Sequence, residues 1–163
     1  GSVHHLCSEL LNASAGIEIL HIPFKGGTAP LIELMAGRID MVCETMTAAL
    51  PHIQGGKLRA LGVTGAKRSA AAPDIPAIAE SIPSYEFTQR HGLVAPARTP
   101  PEIVARLRRD TALALTRPSI RSVYDRFGWR LIEGSSPEEF AATVRDEGPK
   151  GGEIIRKAGL RLG

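Results

Sequence analysis

Residues 17–63 read IEILHIPFKGGTAPLIELMAGRIDMVCETMTAALPHIQGGKLRALGV, and the changing period of apolar residues along them decides the fold class. Ile17, Ile19, Leu20, Ile22 and Phe24 form an apolar run closed by Pro23, which predicts a strand over Ile17–Phe24. Lys25-Gly26-Gly27-Thr28 is then a turn. Ala29 to Ala36 places Leu31, Leu34 and Met35 on one side of a short helix that Gly37 ends. Ile39–Cys43 is a nearly unbroken apolar run, the pattern of a buried parallel strand. Thr45 to Ile53 is helical, Gly55-Gly56 stops it, and Leu58–Val63 is a third strand. Upstream, Ser2 is a suitable N-cap for a helix over Val3–Ala15, with Gly16 as its stop. Helix and strand therefore alternate with short Gly-rich links, which argues for an α/β fold with a parallel sheet covered by helices.

Downstream the pattern changes. Ala70 to Pro83 is rich in Ala and Pro, with one helical turn around Ile78, Ala79 and Glu80, and Tyr85 to Val94 is extended. Thr99-Pro100-Pro101-Glu102 predicts a helix start with Thr99 as cap, Pro100 at the first helical position and Glu102 completing a capping box. Ile120, Val123, Tyr124 and Phe127 mark a second helix after Pro118, ended by Gly128. Trp129–Ile132 is a short strand, and Ser136-Pro137-Glu138-Glu139 is another capping box opening the last helix. Pro149 lacks an N–H and crowds the carbonyl four residues earlier, so that helix is expected to kink or break there. The stretch from Thr88 to Gly92 is the best boundary candidate.

Composition narrows the function classes. Apolar residues make up 43% and charged residues 23% of the 163, the balance of a folded globular protein, and no apolar run is long enough to span a bilayer. The net charge is a mild +3. Arg106, Arg108 and Arg109 cluster on a helix without interleaved aromatics, which reads as a solvated face and not as a nucleic-acid surface. Cys7 and Cys43 lack metal-type spacing and read as two buried free thiols. The five histidines are dispersed, with no HExxH, so neither a metal nor a cofactor is expected.

The recurrent geometry is a strand end, a polar turn and a helix N-terminus. Such a turn offers free N–H groups at the positive end of a helix dipole, which together bind anions. Ser2 and His5, at the first helix start, form one such place. Lys25, Gly26, Gly27 and Thr28 form a second, and Thr45 and Thr47, after Glu44, a third. In an open parallel sheet these ends share one edge. The bland reading is that every α/β protein has such turns and that Ser and Thr merely cap helices. The glycine turn is not a phosphate-binding Walker loop, because the required first Gly is absent.

Read in order, Ile22-Pro23-Phe24-Lys25-Gly26-Gly27, Leu34-Met35-Ala36-Gly37-Arg38-Ile39-Asp40, Ala49-Leu50-Pro51-His52-Ile53 and Gly56-Lys57-Leu58-Arg59-Ala60-Leu61 resemble the Bug family, the extracytoplasmic solute receptors of tripartite tricarboxylate transporters. The likeness continues through Pro73-Asp74-Ile75-Pro76, Gly92-Leu93-Val94-Ala95-Pro96 and Thr99 to Val104, and ends near Phe140. It implies a periplasmic-binding-protein-like Venus flytrap of type II with parallel-sheet lobes, a small carboxylate in the cleft, membrane transporter subunits as partners, a periplasmic location and no enzymatic activity. It also implies that the N-terminal segment of the first lobe, and the first strand of the second, have no counterpart here. Residues 1–89 then correspond to ligand-binding lobe II, and residues 90–163 to the hinge return and the C-terminal part of lobe I. A lobe without its partner is expected to bind ligand weakly and to self-associate. Glu44 departs from the family pattern and would repel a carboxylate, so it stands outside the candidate set. Two rival readings stay open on the residues alone: an α/β enzyme using Cys7 or Cys43, and a truncated interaction module that binds no ligand.

Overall fold

The computed structural model describes residues 2–26, 28–132 and 136–157. In chain order its helices are α1 (Val3–Ala15), α2 (Ala29–Met35), α3 (Met46–Gln54), α4 (Pro101–Leu115), α5 (Pro118–Phe127) and α6 (Pro137–Lys157), with a 3-10 turn at Ile78–Glu80 between α3 and α4. The Ser2 hydroxyl accepts the His5 N–H at 3.3 Å and so caps α1. Gly16, at φ 64°, closes that helix by donating its N–H to the Asn12 carbonyl, a left-handed conformation that carries no Cβ penalty in glycine.

The expected strands at Ile17–Phe24, Ile39–Cys43, Leu58–Val63 and Trp129–Ile132 do not form a ladder. Among the described residues strand-type pairing is confined to two isolated bridges, parallel between Val63 and Ala77 and antiparallel between Ser69 and Ala72. The physical reason is that an apolar run reports a local, extended backbone, whereas a ladder needs a neighbour about 4.8 Å away, which no local pattern encodes. After α1 a side chain takes the neighbour's part. The Asn12 amide accepts the Ile19 N–H at 3.2 Å, and its nitrogen faces the Ile19 carbonyl at 3.4 Å. The third segment pairs only at its end, where Val63 donates to Pro76 (2.8 Å) and accepts from Ile78 (3.0 Å). Phe87 then donates to the Thr64 carbonyl at 2.8 Å, which turns the extended 85–94 stretch back along it. One consequence is that Leu20 and Leu61 stay 82% and 66% exposed, although both belong to apolar runs.

The core gathers under α1. Cys7, Leu31, Leu50, Ala77 and Tyr85 are buried, and the Tyr85 ring is wholly so. Its hydroxyl lies 3.0 Å from Cys7 Sγ and donates to the Cys7 carbonyl at 3.2 Å, a polar tip satisfied inside an apolar cluster. Behind it, Arg68 grips the Glu80 carboxylate through two bonds of 2.7 Å and reaches the Pro73 carbonyl at 3.1 Å.

The second half packs back on the first: α6 lies against α1, and α5 contacts both α3 and α4. Arg90 pairs with Glu147 at 2.6 Å, and Gly92 sits against the Phe140 ring with no room for a Cβ. At the start of α6 the expected capping box is present: Ser136 Oγ accepts the Glu139 N–H (3.0 Å) while Glu139 accepts the Ser136 N–H (2.8 Å). At α4 it is not. The helix begins one residue later than expected, with Pro100 extended (ψ 138°) at the cap position and without a side-chain cap bond. The cause is Pro101, whose ring disfavours the helical conformation in the residue before it and so holds Pro100 outside the helix. The expected break at Pro149 is also absent, because α6 runs through it to Lys157. A missing N–H removes one bond from one turn.

Candidate functional site

The first turn of α1 bears His4 and His5, and the sequence places both beside the capping Ser2. His4 Nε2 stands 3.5 Å from Glu44 Oε1, in the residue that precedes the α3 N-cap Thr45. This contact brings the N-termini of α1 and α3 together. The same Glu44 oxygen accepts the Thr45 N–H at 2.7 Å, so a carboxylate of the chain itself already sits at the mouth of α3. Thr45 makes no side-chain cap bond, and the Thr47 hydroxyl oxygen is buried without a hydrogen-bond partner among the described residues. A buried unpaired hydroxyl is uncommon and calls for a water or ligand partner. Helix α3 therefore ends in first-turn N–H groups that have no partner within the helix, with an unused hydroxyl beside them.

His5 faces another way. Its ring stacks on His21 at 3.6 Å between centroids and 3° between planes, and its Nε2 is 3.4 Å from Glu9 Oε1. Loss of solvent around the ring, and then the adjacent His5, hold the His21 imidazole below the ordinary histidine range. The stack anchors the extended segment that leads to Lys25. Lys25, Gly26 and Thr28 are exposed at its end; Gly26 has φ 87°, a conformation that favours glycine, and Thr28 precedes α2 without capping it by its side chain. Gly27 lies outside the described residues.

The structure thus joins Ser2, Thr45 and Thr47 into one neighbourhood through His4 and Glu44. Lys25, Gly26 and Thr28 follow the extended segment that His21 anchors on His5. His4, His21 and Glu44 were missing from the sequence-derived set. A signal for Glu44 existed, since an acidic residue just before a helix N-cap is placed to take up that helix's free N–H groups. A concavity of about 390 Å³ runs along α1, lined by Glu9, Asn12, Glu18, Ile19, Leu20 and His21. Its two carboxylates make it a poor place for an anion. No group of three His, Cys, Asp or Glu side chains among the described residues could hold a metal, and no described helix is long and apolar enough to cross a membrane.

The two thiols lie next to this neighbourhood. Cys7 on α1 and Cys43 before Glu44 are both free. Cys43 Sγ accepts from Ser8 Oγ at 3.3 Å, beside Cys7 on α1. The neighbouring Cys7 thiol, more than Ser8, lowers the Cys43 thiol against the opposing effect of burial. Cys7 is pushed far up, first by Cys43 and then by burial.

Comparison with known proteins places this geometry. Residues 1–160 match the model of the tripartite tricarboxylate transporter family receptor. A protein from the tcbD–tcbE intergenic region of a Pseudomonas species is 33% identical over 157 residues, covering 95% of this chain and 46% of the relative. One from the clcB–clcD intergenic region of Pseudomonas knackmussii is also 33% identical, and there the match covers 95% of this chain and 92% of the relative. Among solved structures, an R. palustris protein with adipate superposes with a TM-score of 0.88 at 32% identity, covering 98% of this chain and 54% of its own. The periplasmic binding protein BugD gives 0.85 at 32% identity, covering 97% and 54%. MatC of Rhodopseudomonas palustris with bound malate gives 0.79 at 26% identity, covering 94% and 53%. The chain thus spans about half the length of these solved structures, and over that half its fold is that of the periplasmic binding proteins. The family is one of solute receptors and not of enzymes, which removes the reading of Cys7 or Cys43 as a catalytic nucleophile. On the match of 160 residues, the chain belongs to the tripartite tricarboxylate transporter receptor family.

Proposed function

We propose that this chain carries one side of a periplasmic binding site for a small organic dicarboxylate, of the size of malate or adipate, in a receptor that serves a tripartite membrane transporter. The observation that carries the reading is the meeting of the α1 and α3 N-termini through His4 and Glu44, beside an unpartnered Thr47 hydroxyl. Two helix ends facing one space offer N–H donors and two positive dipole ends, the chemistry a carboxylate needs. Relatives of the same fold that hold adipate and malate support the ligand class. In this reading Ser2, Thr45 and Thr47 contact the carboxylate end nearer α1 and α3, while His5, stacked on His21, borders the site on the side that leads to Lys25. Lys25, Gly26, Gly27 and Thr28 supply a charge and close backbone approach at the other end.

Residues 1–89 act as the ligand-gripping lobe, and residues 90–163 as the hinge return and part of the opposite lobe. The packing of α6 on α1 is compatible with that division. Leu20, Leu61, Leu93 and Val94, all more than 60% exposed, favour self-association of the chain or pairing with another segment. Calorimetry with malate, adipate and citrate at low salt tests the site. Thr47→Val and Gly26→Val should each weaken binding at least tenfold while leaving helical circular dichroism intact. Unchanged affinity in both variants, or no heat with any of the three acids, overturns the assignment.

A further inference from the structure

We propose that Cys7 and Cys43 form a reversible disulfide that ties helix α1 to the turn in front of α3. The pair stands apart from the ligand reading and does not depend on it. Two contacts hold the sulfurs in place. Ser8 Oγ, on the residue after Cys7, donates to Cys43 Sγ at 3.3 Å, and the Tyr85 hydroxyl lies 3.0 Å from Cys7 Sγ. Each thiol responds first to the other in its protonation equilibrium. Tyr85 also fixes the backbone of Cys7 by donating to its carbonyl at 3.2 Å, so this turn of α1 cannot rotate away from Cys43. A disulfide between them needs a bond of about 2.05 Å, reached by side-chain rotation and a slight backbone shift.

The two thiols divide the chemistry. Cys7 is 4% exposed and Cys43 is only half-buried, so an incoming oxidant meets Cys43 first. The Cys7 thiol beside it lowers the Cys43 thiol and so favours the thiolate, the form that attacks. The oxidant is a disulfide donor, small or protein-borne, of the kind that populates oxidising compartments. The Cys43 thiolate attacks one donor sulfur, the donor S–S bond breaks, and one donor thiolate leaves and takes a proton from water. Cys7 then gives up its proton as its sulfur attacks Cys43 Sγ. The mixed disulfide breaks, and the second donor thiolate leaves and takes up that proton. Two protein thiols are oxidised, and one donor disulfide is reduced to two thiols. Tyr85 keeps its bond to the Cys7 carbonyl in both states, so oxidation leaves no buried hydroxyl stranded.

Cys7 lies five residues after Ser2, and Cys43 two before Thr45. The bond would therefore fix the spacing of the α1 and α3 N-termini. The chain, equilibrated in glutathione buffers of graded oxidised-to-reduced ratio and acid-quenched, is read by intact mass and peptide mapping. The expected product has lost two hydrogens and contains a Cys7–Cys43 cross-linked peptide. Its Tm lies roughly 8–15 °C above that of the reduced chain, from closure of the intervening loop. Cys7→Ala should instead accumulate one glutathione on Cys43, and Cys43→Ser should leave the buried Cys7 unmodified. The proposal is overturned by separate glutathiones on both cysteines of the wild type, by cross-links only between chains, or by thiols that stay reduced throughout. A Cys7→Ala chain whose Cys43 takes up no glutathione equally overturns the assigned order of attack.

Discussion

Replacing Glu44 by Gln is the sharpest test of an anion at the mouth of α3. The Glu44 carboxylate is 10% exposed and accepts the Thr45 N–H at 2.7 Å, so its charge sits where a ligand carboxylate would approach. Two carboxylates sharing one helix end through bonds of ordinary length lie about 5 Å apart. At that distance the repulsion is about 1.7–3.3 kcal/mol for effective dielectric constants of about 40 to 20. Screening at physiological salt, with a Debye length of about 8 Å, cuts this to roughly half, about 0.9–1.7 kcal/mol. Removing the charge should therefore tighten malate or adipate binding roughly 5- to 15-fold at physiological salt. The gain should grow severalfold at about 0.01 M salt, where the Debye length is about 30 Å. Glutamine keeps the shape and an oxygen for the Thr45 N–H, so the fold is retained. Calorimetric titration of both proteins at the two salt levels gives the answer. An unchanged or weaker affinity in folded Glu44→Gln, or a gain indifferent to salt, would refute the placement of the anion on α3.

The other predictions concern stability. Ser136→Ala should cost about 1 kcal/mol in urea unfolding through loss of the α6 cap, whereas Thr99→Ala should change stability by less than about 0.3 kcal/mol, since no cap bond is made there. Tyr85→Phe removes a hydroxyl that touches both the Cys7 sulfur and its carbonyl, and should cost about 1–2 kcal/mol; a value near zero in denaturant titration would show that those contacts carry no net stability. Arg68, and then the Ala77 N–H, hold the Glu80 carboxyl down to about 2. A carboxyl whose folded value is depressed contributes above its unfolded value, near 4.5, and the contribution disappears as pH falls towards 2, so Glu80→Gln should flatten the acid limb of the stability–pH curve in that window. Gly92→Ala drives a methyl group into the Phe140 ring and should cost about 1–3 kcal/mol, with part of the loss recovered in a Phe140→Leu background; equal losses in both backgrounds would remove that contact as the cause.

Helix positions were legible in the sequence because their signals are local. Ser2, Gly16, Gly128 and Ser136 mark ends that the backbone obeys through one or two hydrogen bonds each. The start at Thr99 is misplaced because Pro101 restricts Pro100, which the cap residue alone does not reveal. Strand pairing was not legible, because Ile17–Phe24 specifies an extended backbone but not what lies beside it; Asn12, seven residues upstream of Ile19, occupies part of that edge. Of the candidate site, the Ser2 and Thr45 turns were readable as helix starts. Their meeting was not, since it depends on His4 reaching Glu44 across 40 residues of chain. The Cys7–Cys43 contact was hidden for the same reason: spacing along the sequence says nothing of two residues joined only by folding.

Tyr85 has a consequence for the timing of folding. It completes the core around Cys7 from 78 positions further along the chain, and α6, which covers α1, begins only at Pro137. At roughly 5–20 residues per second, α1 waits about 3.5–14 s after its own synthesis for Tyr85 to be made, and longer for α6. Through that interval Leu6, Leu10 and Leu11 have no finished surface to pack on. The nascent chain is then a ligand for chaperones before it is a receptor for anything, and α1 is the segment they should hold.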